Sequence, residues 1–226
     1  MLIQVKSAAT PRKSYGVHMN NLNPSPIDNW TIQTYLRELE NQAEAAALAV
    51  NDLNTALSGG VGQIPRAFAS VQALLGSAAL ISKLLWPKPP ALKPDGTSLT
   101  ADEDLQRAYT LGRGRQLREL TGIRSLPILE SRKVRNGLEH FDERLDAFFF
   151  SGQSIVADRN IGPRDRMIVI GDTPAMHLRL IDNERLTASV LSDEVSLQEI
   201  TDATQKVGTS ASAAITRLEN AAERSY

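Results

Sequence analysis

Apolar residues recur at alternating spacings of four and three in two long stretches of the chain. The first stretch contains Ile32, Leu36, Leu39, Ala43, Ala46, Val50, Leu53 and Leu57. The second contains Leu197, Ile200, Thr204, Val207, Ala211, Ala214, Leu218 and Ala221. This spacing places every member on one side of an α-helix. We therefore predict a first and a last long helix, each packed lengthwise against its neighbours through one apolar seam.

The first helix is expected to begin near residue 25. Ser25 is a good N-cap, Pro26 suits the first helical position, and Asp28 complements the positive end of the helix dipole. The run Ser58-Gly59-Gly60 is expected to end it. Residues 1–24 show no apolar period and are predicted to form a loosely held N-terminal arm.

A second helix is predicted from about Pro65 to Trp86, where several prolines stop it. The glycine-rich run 59–66 has the position of a phosphate-binding loop. Because it lacks the Gly-Lys-Ser/Thr ending and a preceding strand, a plain connection between helices is favoured. The apolar run 67–86 is nearly long enough to cross a bilayer. Its Ala and Ser content favours a buried bundle helix instead, and no membrane association is expected.

Two more helices are predicted in the middle of the chain. Thr100 and Glu103 form a capping-box pattern that opens the third helix, which is expected to reach about Leu120. The fourth is expected to run without a break from about Pro127 to Phe150, before Ser151-Gly152.

After Gly152 the pattern changes to short runs typical of strands. Strands are predicted at 166–170, 177–181 and 185–191, the last two joined as a hairpin across 182–184. A second capping-box pattern, Ser196 with Glu199, opens the last helix at 196–223. Because a lone hairpin is marginally stable, residues 151–195 are expected to cap the helices within a single domain, 25–226. The predicted fold class is mainly α, a bundle of four to five long helices with a small β-hairpin insertion before the last helix.

Composition narrows the classes of function. The chain of 226 residues has 25 basic and 26 acidic residues, a formal net charge of −1, and no cysteine. This balance argues against a protein that coats nucleic acid through bulk charge, so any RNA contact is expected to be local. The lack of cysteine excludes disulfides and thiolate sites. The N-terminal residues lack the features of a signal peptide, and a cytoplasmic location is expected.

No metal site and no cofactor are predicted. The three histidines, His18, His140 and His177, are far apart and show no metal-ligand spacing.

Charge is uneven between residues 113 and 135. This interval contains two acidic residues, Glu119 and Glu130. It contains seven basic residues: Arg113, Arg115, Arg118, Arg124, Arg132, Lys133 and Arg135. Such runs are usually solvated helix faces, but this one leads directly into His140. We therefore treat it as a candidate anion site, with Arg113, Arg115 and Arg118 as candidate RNA phosphate contacts.

The predicted fourth helix has an apolar stripe of Val134, Leu138, Phe141, Leu145 and Phe148. Arg135 and His140 flank this stripe about 140° apart on a helical wheel. A guanidinium suits a phosphate, an imidazole moves protons near neutral pH, and Asn136 is one turn from His140 and able to orient it. The combination suggests phosphodiester cleavage. The alternative is an ordinary helix surface, with Arg135 paired to Glu139 and His140 against Asn136 or Arg144.

The run Arg135-Asn136-Gly137-Leu138-Glu139-His140 resembles the R-x4-6-H signature of the HEPN superfamily. HEPN domains are compact helical bundles with the signature on a late core helix, which compares with residues 28–150 here. The resemblance implies metal-independent RNA cleavage by Arg135 and His140, often at a dimer interface, with the polar Asn136 at the first variable position. It also implies a toxin or antiviral defence effector, although many HEPN relatives are non-catalytic.

Two functions follow as hypotheses. The first is a metal-independent endoribonuclease, homodimeric through the fourth helix, with RNA and a protein antitoxin or regulator as partners. In it His140 acts on the ribose 2′-hydroxyl or the leaving 5′-oxygen, and Arg135 stabilises the charge on the phosphate. Asn136 positions His140, and Arg132 holds a flanking phosphate. The second is a non-catalytic helical interaction protein that oligomerises through its apolar seams.

Overall fold

The computed structural model describes residues 27–88, 100–131, 141–152, 157–164, 169–170, 173–174, 177–191 and 193–224. Its helices are α1 (Asn29–Ser58), α2 (Ile64–Leu85), α3 (Ala101–Thr121), α4 (Pro127–Glu130), α5 (Phe141–Phe150) and α6 (Leu197–Glu223). A small four-stranded sheet precedes α6. The expected fold class, mainly helical with a β insertion before the last helix, is confirmed.

The centre of the molecule is formed by α1, which packs along both α2 and α6. After α1 the chain passes through a short 3₁₀ turn, Val61–Gln63, into α2. Gly60 has a φ of 78°, a left-handed conformation that favours glycine. Residues 59–63 of the glycine-rich run are therefore a connection between helices, as the sequence favoured, and residues 64–66 form the first turn of α2.

The buried side of α1 follows the predicted seam over most of its length. Ile32, Leu36 and Leu39 are fully buried. Toward the C-terminal end Leu53 is buried as predicted, but Ala49 and Ala56 are buried while their neighbours Val50 and Leu57 are half-buried. At these two positions the buried face of α1 therefore lies one residue earlier than the predicted seam.

The helix caps agree with the sequence in part. Thr100 and Glu103 form the predicted capping box, in which the Glu103 backbone N–H donates to Thr100 Oγ1 at 3.3 Å. Ser196 caps α6 by accepting the Glu199 backbone N–H at 3.1 Å. The start predicted for the first helix is wrong, because its N-cap is Asp28, which accepts the Thr31 backbone N–H at 2.8 Å. The positions expected to open it, Ser25 and Pro26, lie outside the described residues.

The predicted unbroken fourth helix is also wrong. It ends at Glu130, because Ser131 has an extended backbone with a ψ of 135°. Ser131 Oγ donates to the Ile128 carbonyl at 3.1 Å and closes the last turn of α4. Helical structure is next described in α5.

The sheet has the strand order β1-β4-β5-β6, with β1 at Asn160–Ile161, β4 at Arg179–Asp182, β5 at Thr187–Val190 and β6 at Asp193–Ser196. A separate antiparallel pair joins β2 (Val169–Ile170) to β3 (Thr173–Pro174). The β4–β5 hairpin was predicted, but its turn lies at 183–186 and Asp182 is part of β4. Strands β1, β3 and β6 were not predicted, since two to four residues carry little periodic signal.

The sheet lies against the helices. Ile181 and Ala188, from β4 and β5, belong to the same buried apolar cluster as residues of α1, α2 and α6. The stretch Val61–Leu85 is long and apolar enough, by length and composition, to cross a membrane, but 50% of its most apolar window is buried inside the protein. A core helix of a bundle has this property, so the stretch is weak evidence for a membrane span.

Candidate functional site

The predicted catalytic residues Arg135, Asn136 and His140, together with Arg132, lie outside the described residues. The structure describes the elements on either side of them: α4 and Ser131 precede the segment 132–140, and α5 follows it. The surroundings of the candidate site are therefore described from these flanking elements and from the basic side chains of α3.

Helix α4, which precedes the segment 132–140, is anchored in the core. Leu129 is fully buried, and its backbone carbonyl accepts a hydrogen bond from Ser82 Oγ at 2.5 Å. Ser82 lies in the last turn of α2, where α4 contacts both α2 and α6. The chain therefore enters the segment 132–140 beside the C-terminal end of α2.

Two of the predicted phosphate contacts lie at the same end of α2. Arg113 Nη2 donates to the Lys83 carbonyl at 3.0 Å, and Arg118 Nη1 donates to the Leu85 carbonyl. Carbonyls in the last turn of a helix lack intrahelical partners, and cations there interact favourably with the helix dipole. Both arginines therefore have a structural role that sequence reasoning missed. Each guanidinium has five N–H donors, so one carbonyl does not exhaust its capacity.

Close packing between α3 and the end of α2 explains this arrangement. A Cβ added at Gly114 would lie 2.5 Å from Pro87 Cδ and 3.0 Å from the Leu85 carbonyl oxygen. The absence of a side chain at Gly114 lets α3 approach α2 closely, so that Arg113 and Arg118 reach its last carbonyls.

Two tyrosines adjoin Arg113. Its Cζ atom lies 5.1 Å from the centroid of the Tyr35 ring, within the range of a cation–π interaction. The hydroxyls of Tyr35 and Tyr109 are 3.4 Å apart. The hydrogen bond with Tyr35, followed by burial, raises the pKa of Tyr109 to about 12. Tyr109 is therefore a neutral phenol at physiological pH and is unsuited to act as a base there.

Arg115 differs from the other two. Its side chain is exposed, and within the described part of the chain it makes no hydrogen bond or ion pair. Of the three α3 arginines proposed to contact phosphate, Arg115 has the guanidinium most available to a ligand.

A second polar cluster, in the sheet region, was not expected as a unit. Asn160 Nδ2 lies 2.8 Å from His177 Nδ1, which joins β1 to the segment before β4. Arg164 Nη2 donates to Ser189 Oγ at 2.6 Å and lies 3.6 Å from Glu194 Oε2. Burial, followed by the nearby charge of Arg164, lowers the pKa of His177. No spacing in the sequence connects these residues, which meet only because β1, β5 and β6 share a sheet.

Two acidic side chains complete this cluster. Asp158 accepts from Arg179 Nε at 2.8 Å and from Arg179 Nη2 at 2.5 Å, and this pairing lowers the pKa of Asp158. Asp182 is 2% exposed and accepts backbone N–H groups of Arg164, Glu184 and Arg185 at 2.9–3.1 Å. Burial raises the pKa of Asp182, but these bonds outweigh it and the net shift is downward.

Most polar groups of the sheet cluster are therefore paired within it, which suits a structural role, while His177 Nε2 is buried without a hydrogen-bond partner in the described part of the chain. Among the described residues, no group of three histidine or acidic side chains is placed to hold a metal ion. In comparisons with known proteins, no family model, no curated protein and no solved structure matches the chain.

Proposed function

We propose that this protein is a metal-independent endoribonuclease of HEPN type, with Arg135 and His140 acting at one scissile phosphate. The observation that supports it is the gathering of positive charge at the end of α2. Arg113 and Arg118 reach the last carbonyls of α2, and α4, which precedes Arg132 in the sequence, is bonded to the same helix end through Leu129. RNA bound at this end would contact the basic side chains of α3, and the R-x4-6-H run follows α4 in the sequence.

In the proposed reaction His140 takes the proton of a ribose 2′-hydroxyl, and the oxygen attacks the adjacent phosphorus. The bond from phosphorus to the 5′-oxygen breaks, and that oxygen receives a proton. Arg135 stabilises the negative charge that develops on the phosphate. Asn136 orients His140, and Arg132 holds a flanking phosphate. The products are a 2′,3′-cyclic phosphate and a 5′-hydroxyl.

The proposal includes a homodimer. On a continuous helix Arg135 and His140 diverge by about 140°, which makes it difficult for one copy to direct both side chains at one phosphate. A two-fold axis near the segment 132–140 would place the histidine of one protomer opposite the arginine of its partner. The imidazolium formed at His140 then returns its proton to the leaving 5′-oxygen, so each composite site needs one histidine and one arginine.

The direct test is incubation of the purified protein with mixed RNA in EDTA. We expect cleavage that leaves cyclic phosphate ends, and loss of cleavage in His140→Ala and in Arg135→Ala. Arg185→Ala is the matched control, since it removes an exposed positive charge from the β4–β5 turn. An inert wild type, or an active His140→Ala protein, would contradict the proposal.

The dimer has its own test. Light scattering should report about twice the chain mass of 24.7 kDa. Mixing Arg135→Ala with His140→Ala protein should restore part of the activity, because one of the two composite sites then has both residues. A monomer that retains full activity would rule out the shared site.

The α3 arginines allow binding to be separated from folding. Arg115→Gln should weaken RNA binding and flatten its salt dependence with little change in stability, because its guanidinium is exposed. Arg118→Gln should lower the melting temperature, because it removes the donor to the Leu85 carbonyl. If Arg115→Gln leaves the salt dependence of binding unchanged, Arg115 has no role in RNA binding.

A second candidate function is a non-catalytic interaction protein, which the exposed end of α5 favours. Phe149 is 53% exposed and Phe150 is 96% exposed. The seams of α1 and α6 are buried against the protein's own helices, so association would use other apolar surface such as this one. Phe150→Ser should then reduce the mass seen by light scattering while the protein lacks nuclease activity.

The proposed role as a cytoplasmic toxin or defence effector, controlled by an antitoxin or regulator, has a cellular test. Expression of the wild-type protein should slow bacterial growth, and His140→Ala should abolish this effect.

A further inference from the structure

A groove runs between α1 and α6, and none of its lining residues belongs to α3 or α4. Its volume is about 530 Å³, and it extends from Glu40 to Asn51 along α1 and from Thr201 to Ser212 along α6. It lies outside the region proposed to bind RNA and has no role in the proposed reaction.

Close contact between the two helices forms the floor of the groove. A Cβ added at Gly208 would lie 2.7 Å from the Cβ of Ala43. Small and hydroxyl side chains, among them Ala47, Thr209 and Ser212, leave the space above this contact open. An extended segment of chain fits such a shape better than a bulky helix does.

The groove is negatively charged. Glu40 and Glu44 carry the only charges among its lining residues. Neither carboxylate makes a hydrogen bond or ion pair within the described part of the chain. They are one helical turn apart, where like charges repel. A cationic occupant would relieve this repulsion.

The chain itself contains a segment of complementary charge. Residues 1–26 include Lys6, Arg12 and Lys13 and no acidic residue. At 1.5 Å per residue, the groove begins about 17 Å along α1 from Asn29 and ends at about 33 Å. Lys13 precedes Asn29 by sixteen residues, which span at least about 53 Å when fully extended. The segment is therefore long enough to fold back along α1 and reach the whole groove.

We infer that residues 1–24 bind along the groove between α1 and α6, with Arg12 and Lys13 against Glu40 and Glu44. Bound there, the segment covers the close helix contact at Ala43 and Gly208, and its cations form ion pairs with both carboxylates. This inference does not depend on the proposed ribonuclease.

Distance measurement between two spin labels on the full chain tests the inference. The chain contains no cysteine, so Ser14→Cys and Thr216→Cys give one label in the N-terminal segment and one on α6 beyond the groove. We expect a short, narrow distance distribution. The short-distance peak should be lost when Glu40→Gln and Glu44→Gln are combined, and also when Arg12→Gln and Lys13→Gln are combined.

Glu38→Gln is the matched control. This residue lies on α1, does not line the groove and accepts a hydrogen bond from Gln42 at 2.8 Å, so the peak should persist. Melting curves for every variant establish that the helices remain folded. A broad distribution in the starting protein, or a peak that survives both charge-neutralising pairs, would overturn the inference. Loss of the peak on dilution with unlabelled protein would also overturn it, since the segment would then come from a second copy.

Discussion

The helical core and the sheet region are stabilised by different interactions. In α1, α2 and α6 the buried residues are almost all Leu, Ile, Val and Ala, together with a few hydroxyl side chains such as Ser70, Ser77 and Thr204. Between residues 157 and 196, paired charged and amide groups hold the short strands: Asp158 with Arg179, Asn160 with His177, and Asp182 with three backbone N–H groups.

The difference follows from the length of the elements. Helices of 30, 22 and 27 residues repeat an apolar face many times and bury enough surface to be stable through packing. Strands of two to four residues cannot do this, so directed polar contacts must fix their register. The core should therefore respond mainly to changes in side-chain volume, and the sheet region to loss of single polar groups and to pH.

The largest effect is expected for Leu36→Ala in α1. Leu36 is fully buried, and its truncation leaves a cavity that should cost about 2–5 kcal/mol in the free energy of unfolding. Leu48→Ala is the control on the same helix, because Leu48 is 61% exposed and its loss should change stability by less than about 0.5 kcal/mol. Urea denaturation of both variants measures the difference. Equal stability in the two would show that α1 is not packed as described.

Asp182→Ala should produce the next largest loss, in the sheet region. The substitution leaves the backbone N–H groups of Arg164, Glu184 and Arg185 without their acceptor and should cost about 1–3 kcal/mol. Asn183→Ala, at the exposed neighbouring position, is the control and should be nearly neutral. Hydrogen exchange should show the loss first at the β4–β5 turn. Unchanged protection there would contradict the role given to Asp182.

Gly208→Ala tests the contact between α1 and α6. The added Cβ would lie 2.7 Å from Ala43 Cβ, so the helices must separate, at a cost of about 1–3 kcal/mol. Replacing a helical glycine by alanine also gains about 1 kcal/mol, so the net loss should be about 0–2 kcal/mol. Gly76→Ala is the control, since a Cβ at Gly76 meets nothing within 4 Å and should stabilise α2. If both variants gain equally in thermal melts, the helices do not touch at Gly208.

The smallest effect is expected from His177, and it depends on pH. Because burial lowers its pKa below 6.5, the folded state binds fewer protons than the unfolded state in this range. The free energy of unfolding is therefore highest above the pKa that His177 has in the unfolded chain, and it falls as the pH drops below that value. When the pH is lowered from about 7.5 to about 5.5, the melting temperature of His177→Gln should fall by less than that of the wild type. His18→Gln serves as the control, and an identical pH dependence in all three proteins would rule out this role of His177.

The sequence was most informative where a pattern repeats. Eight seam positions in α1 and the capping box at Thr100 are local features of helical geometry, and the structure retains most of them. It was least informative where one turn decides the outcome. Asp28 displaced Ser25 as the N-cap, and Ser131 ended a helix that the apolar stripe would have continued, because capping groups compete within a few residues of each other.

The candidate site shows the same division. Sequence composition located the basic run at 113–135, and the resemblance to HEPN signatures suggested chemistry for Arg135 and His140, which remains a proposal. That Arg113 and Arg118 reach the last carbonyls of α2, some 30 residues earlier in the chain, follows only from the close approach of α3 at Gly114. The pairing of His177 with Asn160 depends in the same way on strands that meet across the sheet.

The sequence by itself therefore determined the fold class and most helix boundaries, because apolar period, caps and breakers act between residues that are neighbours along the chain. Tertiary structure alone decided which of the three candidate phosphate contacts on α3 are bonded to carbonyls and which is exposed. It also decided the strand order of the sheet and the position of the groove between α1 and α6. Those outcomes depend on distances between elements far apart in sequence, and these distances are set by the fit of side chains in the assembled core.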